Sequence, residues 1–377
     1  MLWAAALIFK IASDTPIYNS TMKKILMAAI VTMAATACCN LASAAEPADT
    51  FARSDIRDLA LIYQGGSHRI SWTPEEITPY VTHRFADGSE QWLFDGFLFL
   101  EFKDNQGNQY SPGYAPKNAR RAEWQWYLDR LFERGRSLDA LNQVIGQKKA
   151  EIGEPGFRHK VVLTVMVPIA GQKDWGELDG RQLDFCKRED QIAASRWFID
   201  QLISRFNEAE YENLDLWGFY WIDEDMVATQ DFPKAISPYI HERGLHFCWI
   251  PYYNAPGHER WSELGFDIAY HLPNYFFSKW IPRQRLDDAI DEALRCGMAM
   301  EFECDELAQS QLPDNSRQRM VDYIDAFERR GVFHGSALAY YTGHHLLLDF
   351  LKNPTPENRA LADRLARLII GRRAALH

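Results

Sequence analysis

Acidic side chains stand at the ends of two apolar, strand-like runs of the sequence, where they could carry out acid–base chemistry. The run LWGFYWID (216–223) leads directly into Glu224, and the run GMAMEFECD (297–305) has acids at alternate positions around Glu303. Burial of an ionised carboxylate is costly unless the group is paired, hydrogen-bonded or protonated. Acids in such apolar surroundings therefore indicate a site whose chemistry requires carboxyl groups.

The alternation of side chains along the first run selects one acid for the interior of the fold. Gly218, Tyr220 and Ile222 share a face with Glu224, whereas Asp223 falls on the other face with the bulky aromatic residues. The aromatic face suits packing against helices, and the face that begins at Gly218 suits a narrow interior. We therefore predict that Glu224 points inward, with Tyr220 on the same face as a candidate substrate contact.

The second run gives a sharper pattern, because three carboxylates share one face. Glu301, Glu303 and Asp305 alternate with apolar residues that can pack outward against helices. We predict Glu303 as a site carboxylate, with Glu301 and Asp305 as neighbouring acids that contact substrate and tune its pKa. The structural alternative is that these acids pair with Lys or Arg side chains of neighbouring strands, or that the strand ends before it reaches them.

The order of apolar runs and amphipathic segments predicts the fold that positions these acids. Continuous hydrophobic runs are typical of a parallel sheet covered on both faces, and their alternation with helices predicts an α/β protein with a single-domain (β/α)8 TIM barrel. A doubly wound sheet is the alternative, although no glycine-rich phosphate loop follows the first run. The predicted strands are 59–64, 93–102, 160–169, 216–223, 246–253, 266–277, 297–305 and 335–343. The predicted helices include 120–132, 190–206, 285–297 and 316–331.

In a barrel of this type, the carboxyl ends of the strands carry the chemistry, so acids on the fourth and seventh strands face each other across the mouth. Two carboxyl groups about 5 Å apart act as acid/base and nucleophile in retaining glycosidases, whereas a gap of about 6.5–9.5 Å admits the water of an inverting enzyme. We predict Glu224 as the general acid/base and Glu303 as the nucleophile or second carboxylate.

Polar and aromatic residues near the other predicted strand ends are candidate substrate contacts. Aromatic rings stack on sugars, and phenol and amide groups hydrogen-bond to hydroxyls. Tyrosines at barrel ends also cap the core, so each residue has a structural alternative. The acid in FDGFLFL stands near the beginning of its strand and fits a structural role at the other end of the barrel equally well. The candidates are Asp95, Tyr252, Asn254, Asn274, Tyr275 and Tyr341.

Composition restricts the partners of the protein. The 377-residue chain has a net charge of −11 and no Lys/Arg run, which argues against binding to nucleic acid or to anionic membranes. Its aromatic content of 13%, including 12 Trp, points mildly toward a sugar-binding cleft. Cys186, Cys248, Cys296 and Cys304 are widely spaced and lack a metal-like pattern, so we predict no metal and no cofactor.

The first 44 residues are predicted to be an extension and a signal peptide rather than part of the domain, which we assign to residues 45–377. From Met22, which we predict to be the true start, a Lys23-Lys24 pair precedes an apolar stretch and the small-residue site Ala42-Ser43-Ala44. The apolar stretch is too short for a transmembrane anchor. These features predict export to the periplasm or the medium; lipidation of Cys38 is a weaker alternative.

Five segments in order resemble the DUF4855 family, a domain of unknown function, over roughly residues 55 to 345. They are WLFDGFLFLEF, EWQWYLDRLF, LWGFYWIDED, FCWIPYYNAPGHERWSELGFD and LPNYFF. The resemblance implies a glycoside-hydrolase-type barrel of secreted bacterial proteins that degrade polysaccharides. It also implies functional roles for Asp95, Glu224, Glu303, Asp305, Tyr252, Asn274 and Tyr275, whereas Leu272 stands where the family pattern often has Gln.

Together these observations lead to the hypothesis of an exported glycoside hydrolase with a carbohydrate substrate. The alternative from another class is a non-catalytic carbohydrate-binding barrel, in which the acids only hydrogen-bond sugar hydroxyls. A third hypothesis is a barrel hydrolase or lyase acting on an acidic polymer, which the negative charge of the chain disfavours.

Overall fold

The structure, a computed structural model, describes residues 50–64, 71–312 and 316–374. The predicted signal peptide, its start at Met22 and Cys38 lie outside the described residues. Among the described residues, no helix combines the length and the hydrophobicity that a membrane crossing requires.

Eight parallel strands close into a barrel within the described part of the chain, which confirms the (β/α)8 prediction and excludes the doubly wound alternative. Each strand pairs with its neighbours in chain order, and the register of Asp58 with Leu338 closes the ring between the first strand and the eighth. The strands are β1 (Asp58–Tyr63), β2 (Gly96–Leu100), β3 (His159–Val165), β4 (Leu214–Trp221), β5 (His246–Trp249), β6 (Ile268–His271), β7 (Ala299–Cys304) and β8 (Leu338–Thr342).

Helices follow most of the strands, and local sequence signals mark where two of them begin or end. The first is fixed by a capping box, in which Thr73 and Glu76 each accept a backbone hydrogen bond of the other. The sixth ends at Gly297, whose left-handed backbone (φ 61°) favours glycine. The helices are α1 (Pro74–Val81), α2 (Arg121–Leu131), α3 (Ser137–Ile152), α4 (Arg188–Glu208), α5 (Pro233–His241), α6 (Gln284–Cys296), α7 (Arg317–Arg329), α8 (Val332–Gly335), α9 (Leu346–Lys352) and α10 (Pro356–Ala374).

Strand β4 contains a bulge that the alternation pattern did not predict. Leu216 pairs with Val161 on β3, and Gly218 pairs with the next β3 residue, Val162. Trp217 is therefore the extra residue of the bulge. Gly218 has a φ of 158°, and a Cβ atom there would lie 2.0 Å from the carbonyl oxygen of His246 on β5. Only glycine therefore fits this position, and the alternation that leads to Glu224 begins here.

Asp95, which we predicted to contact substrate, lies instead at the amino end of the barrel. Its carboxylate accepts hydrogen bonds from the backbone N–H groups of Arg57 (3.1 Å) and Asp58 (2.8 Å), and this ties the start of β1 to the start of β2. Burial and the nearby charge of Asp58 raise the pKa of Asp95 to about 6. The role of Asp95 is therefore structural, at the end of the barrel opposite to Glu224.

The same end of the barrel is closed by contacts between β1, β8 and α10. Asp58 accepts a hydrogen bond from the Tyr340 hydroxyl at 2.7 Å and lies 3.1 Å from Arg372 Nε in a fully buried ion pair. Arg372 also donates to the carbonyl oxygen of Ser336, and Arg57 donates to the carbonyl oxygen of Arg372. The ion pair compensates the charges of Asp58 and Arg372, which would otherwise be costly to bury.

His159, at the first position of β3, is buried among the aromatic rings of Phe157, Trp92 and Phe97. Burial, with a smaller contribution from the positive charge of Arg373, lowers its pKa from 6.5 to about 3. Between these two pH values the unfolded chain binds a proton that the folded chain does not, so acid favours unfolding.

We expect replacement of this histidine (His159→Phe) to make the protein less sensitive to acid. The wild type should lose up to about 1.4 kcal/mol of unfolding free energy per pH unit from this group as the pH falls from about 6.5 towards 4, and the variant should not. Urea unfolding between pH 7 and 4 measures the difference. Replacing an exposed histidine (His334→Phe) is the control, and an equal pH slope in both variants would contradict the assignment.

Candidate active site

A cavity of about 310 Å³ opens at the carboxyl ends of the barrel strands. Residues from strands on opposite sides of the ring converge on it, as the fold requires of a functional site. Its lining combines four glutamates with aromatic and aliphatic side chains and one lysine. The lining residues are Leu61, Tyr63, Glu101, Phe102, Lys103, Tyr114, Tyr220, Glu224, Ile250, Leu272, Phe277, Glu301, Glu303 and Tyr341.

Glu224 lies three residues beyond β4 and lines the cavity, on the inward face as predicted. The hydroxyl of Tyr114, from the excursion that follows β2, donates a hydrogen bond to Glu224 Oε2 at 2.5 Å. Burial and the negative charge of Glu303 raise the pKa of Glu224 to about 6, and the Tyr114 hydrogen bond opposes this rise. At mildly acidic pH Glu224 is therefore an acid that can give up its proton.

Glu303 lies on β7, where hydrogen-bond donors oppose the effect of its burial. Its Oε1 atom accepts hydrogen bonds from the backbone N–H groups of Tyr275 (2.5 Å) and Phe276 (3.0 Å), and from the Tyr323 hydroxyl (2.6 Å). Burial raises the pKa of Glu303, but these three donors and the charge of Arg319 oppose the rise. The donors also hold the carboxylate in one orientation.

Glu301 lies one inward position before Glu303 on β7 and is almost completely buried. Burial, followed by the charges of Glu303 and Glu224, raises its pKa well above the ordinary value. Its Oε2 atom has no hydrogen-bond partner among the described residues. This environment favours the protonated, neutral form of Glu301 over the ionised form.

Glu101, directly after β2, is a fourth cavity acid that the sequence analysis missed. It is 1% exposed, and its Oε1 atom accepts a hydrogen bond from the N–H group of Phe102. The sequence contained the same signal that identified Glu224, because the apolar run GFLFL ends directly in this acid. Tyr114 and Tyr323 had no such signal, since an irregular excursion and a helix bring them to the carboxylates.

Five aromatic rings form a continuous wall along the cavity. Tyr114 stacks on Phe102 with ring centroids 4.0 Å apart, and Phe102 contacts Tyr63 at 6.0 Å. Tyr63 meets Tyr341 edge to face at 5.3 Å, and Tyr341 meets Phe277 in the same way at 5.8 Å. Aromatic faces opposite hydrogen-bonding carboxyl groups form a site suited to a ring with one apolar face and many hydroxyl groups.

The structure brings some of the predicted substrate contacts into the cavity and leaves others outside it. Tyr220, Glu301 and Tyr341 line it with Glu224 and Glu303. Tyr275 does not line the cavity but positions one of its carboxylates. Its N–H group donates a hydrogen bond to Glu303, and its hydroxyl donates one to Asp322. Besides Asp95, at the other end of the barrel, the remaining predicted contacts do not line the cavity; they are Tyr252, Asn254, Asn274 and Asp305.

Local backbone geometry explains why these four residues stand where they do. Asn254 and Asn274 are exposed and have left-handed backbones (φ 59° and 52°), which asparagine tolerates better than most residues. Asp305 caps the short 3₁₀ helix Glu306–Ala308 by accepting a hydrogen bond from the N–H group of Leu307. Tyr252 donates its hydroxyl hydrogen bond to Asp225 at 2.8 Å. Turn and cap chemistry accounts for Asn254, Asn274 and Asp305, and a side-chain hydrogen bond holds Tyr252.

Asp223 falls outside the cavity lining, as the alternation along β4 predicted. Its carboxylate accepts a hydrogen bond from the Ser111 hydroxyl at 3.3 Å, and its backbone carbonyl accepts one from the Trp249 indole at 2.6 Å. Burial is the main cause that raises the pKa of Asp223 to about 7. This residue therefore connects the end of β4 to the excursion that carries Tyr114.

One group of side chains in the described ranges offers three ligand atoms within 4.8 Å of one another, namely His258, Glu292 and Cys296. His258 Nε2 lies 2.6 Å from Glu292 Oε1, and the guanidinium of Arg295 binds the same carboxylate. The charge of Glu292 is therefore already compensated by side chains of the protein. None of the three residues lines the cavity.

Comparison with known proteins identifies one family. The family model described as "Domain of unknown function (DUF4855)" matches residues 58–367. No curated protein sequence matches the chain. Solved structures of the tryptophan synthase alpha-subunit from the hyperthermophile Pyrococcus furiosus align with TM-scores of 0.38, 0.37 and 0.37. Each is 9% identical and covers 87% of this chain and 100% of its own, and these distant likenesses carry no argument about function.

We expect Glu301→Gln to stabilise the protein at neutral pH, because it removes a buried carboxyl group that has to stay protonated. A carboxyl group whose pKa is raised on folding stabilises the folded state below its unfolded pKa of about 4.5 and loses that contribution as the pH rises. The unfolding free energy of the variant should therefore exceed that of the wild type by about 1 kcal/mol or more at pH 8, and by less at pH 5. Urea unfolding at both pH values measures this. The matched substitution of an exposed glutamate, Glu212→Gln, should give no pH-dependent difference in unfolding free energy from the wild type. If Glu301→Gln gave none either, the raised pKa of Glu301 would be contradicted.

Proposed function

The chain belongs to the DUF4855 family, and we propose that it is a glycoside hydrolase acting on a poly- or oligosaccharide. One catalytic carboxyl group comes from the end of β4 and the other from β7. The observation that supports this proposal is the unequal hydrogen bonding of two carboxyl groups in one cavity. Glu224 has a pKa of about 6, whereas three hydrogen-bond donors stabilise the charge of Glu303. Glycosidases need one acid and one carboxylate in this way.

In the proposed reaction, Glu224 protonates the glycosidic oxygen while the bond from that oxygen to the anomeric carbon breaks. Glu303 then either attacks the anomeric carbon directly or removes a proton from the attacking water, which gives retention or inversion of configuration. In both cases water supplies the hydroxyl group of the new reducing end. Protonated Glu301 next to Glu303 can donate a hydrogen bond without adding charge.

The aromatic wall provides the complementary part of a sugar site. The rings of Tyr63, Phe102 and Tyr114 offer apolar faces on which a pyranose can stack, and Lys103 adds a hydrogen-bond donor at the rim. A polysaccharide substrate fits the export signal predicted for the first 44 residues, because such polymers are degraded outside the cytoplasm. We therefore propose that the protein is exported and acts in the periplasm or the medium.

Removal of either carboxyl group is the direct test of the proposed function. We expect Glu224→Gln and Glu303→Gln each to lower kcat by about 100-fold or more, because each removes a group that transfers a proton or stabilises the transition state. The measurement is release of reducing sugar from a panel of polysaccharides, after the wild type has identified the polymer that is cleaved. Thermal unfolding of each variant checks that the fold is intact.

Glu189→Gln on α4 is the matched control, since it changes an exposed glutamate without altering the cavity. Activity close to wild type in the folded Glu224 or Glu303 variant would refute the assignment. A wild type that binds a polysaccharide but releases no product would favour the non-catalytic carbohydrate-binding barrel instead.

The hydrogen bond from Tyr114 predicts a shift in the pH profile. Activity should fall above about pH 6, as Glu224 loses the proton that it must donate. Because the Tyr114 hydroxyl stabilises the ionised form of Glu224, Tyr114→Phe should raise the pKa of Glu224 and move this alkaline limb upward by about one pH unit. The pH dependence of kcat/KM measures the shift.

Tyr239→Phe is the control for this experiment, because it removes a tyrosine–carboxylate hydrogen bond (2.6 Å to Asp200) at the protein surface. It should leave the pH profile unchanged. An alkaline limb that stays in place, or moves to lower pH, in Tyr114→Phe would show that Glu224 is not the acid.

A further inference from the structure

Two large apolar side chains are exposed beside the cavity, in the segment that follows β6. Trp280 is 84% exposed and Phe277 is 51% exposed, although aromatic side chains of this size are usually buried. Isolated exposed apolar residues need no explanation, but adjacent aromatic residues at the rim of a cleft indicate a binding surface.

The exposed aromatic surface is continuous with the cavity. Phe277 lines the cavity and packs edge to face on Tyr341. It also lines a second depression of about 310 Å³, whose wall includes Lys279 and Trp280. The Lys279 ammonium lies 5.2 Å from the centre of the Trp280 ring. The aromatic wall therefore extends out of the cavity along one side.

The segment that holds Trp280 is tied to the carboxylate of Glu303. The N–H groups of Tyr275 and Phe276 donate hydrogen bonds to Glu303. Arg319 Nε donates to the carbonyl oxygens of the same two residues at 3.0 Å each. Arg319 also donates to the carbonyl oxygen of Ile281 at 3.1 Å. The backbone is thus anchored on both sides of Trp280, so the segment that carries the exposed rings keeps a fixed relation to the candidate catalytic group.

We propose that Phe277 and Trp280 form an aromatic platform that binds a second part of a glycan chain, outside the cavity. This inference rests on the proposed function for the identity of the ligand as a glycan. The occupant is an extended chain, because the platform continues the aromatic wall away from the carboxyl groups that would cleave it. The substrate is therefore a polymer or long oligosaccharide whose units occupy both the cavity and the platform.

The test compares long and short substrates in the full-length protein. We expect Trp280→Ala to raise KM for the cleaved polysaccharide about tenfold with little change in kcat, because loss of one stacking contact weakens binding of distant sugar units. Hydrolysis of the shortest cleaved oligosaccharide should be unaffected. Trp280→Phe should restore part of the affinity. Trp126→Ala on α2 is the control for removal of a tryptophan outside the cavity and the platform.

A binding measurement separates this inference from the proposed function. Migration of Glu303→Gln, with and without Trp280→Ala, is compared in native gels that contain arabinoxylan, mixed-linkage β-glucan, galactomannan or amylose. If the wild type cleaves none of these polysaccharides, but one of them slows migration of the protein and Trp280→Ala abolishes this effect, the platform stands and the hydrolase proposal fails.

If a polysaccharide is cleaved and Trp280→Ala leaves the KM for it unchanged, the platform is refuted and the hydrolase proposal stands. Loss of dimers in Trp280→Ala without any effect on glycans would also refute the platform, since the surface would then contact a second copy of the chain.

Discussion

The carboxyl groups of Glu101, Glu224, Glu301 and Glu303 repel one another across a small cavity lined largely by apolar and aromatic side chains. Electrostatic repulsion in such surroundings is strong, so four full charges cannot be present together. The protein resolves the conflict by giving each group different partners. Glu303 has three hydrogen-bond donors, Glu224 has one, and burial favours the protonated form of Glu301. The proposed hydrolysis requires such an unequal sharing of protons, and this crowding favours it.

The supporting donors come from parts of the barrel that are far apart in the sequence. Tyr114 reaches Glu224 from the excursion after β2, whereas the donors to Glu303 come from the segment after β6 and from α7. Each donor therefore couples a loop or helix to the charge state of a strand residue. A change in any of these loops would alter the chemistry without replacing a carboxyl group.

The sequence was sufficient to predict the barrel, its strand order and the inward direction of Glu224 and Glu303, because strand alternation and apolar runs are local patterns. It was insufficient for residues whose partners are distant. Asp95 resembles a site acid in sequence, but the N–H groups that bind it belong to the start of β1. Asn254 and Asn274 were selected for their amide groups, and the structure explains them by backbone conformation instead. Tyr114 lies in an irregular excursion, where no periodicity indicates direction.

The closure of the amino end of the barrel has a consequence for the kinetics of folding. The hydrogen bond between Asp58 and Tyr340 joins residues 282 positions apart, and that between Arg57 and Arg372 spans 315 positions. Contacts at such separations form late, because the entropy of a long loop has to be lost before they can be made. Until β8 and α10 dock, β1 has an open edge and Asp58 lacks both its tyrosine and its arginine partner. A newly made chain therefore remains vulnerable to misassociation through its first strand until almost all of the barrel has formed.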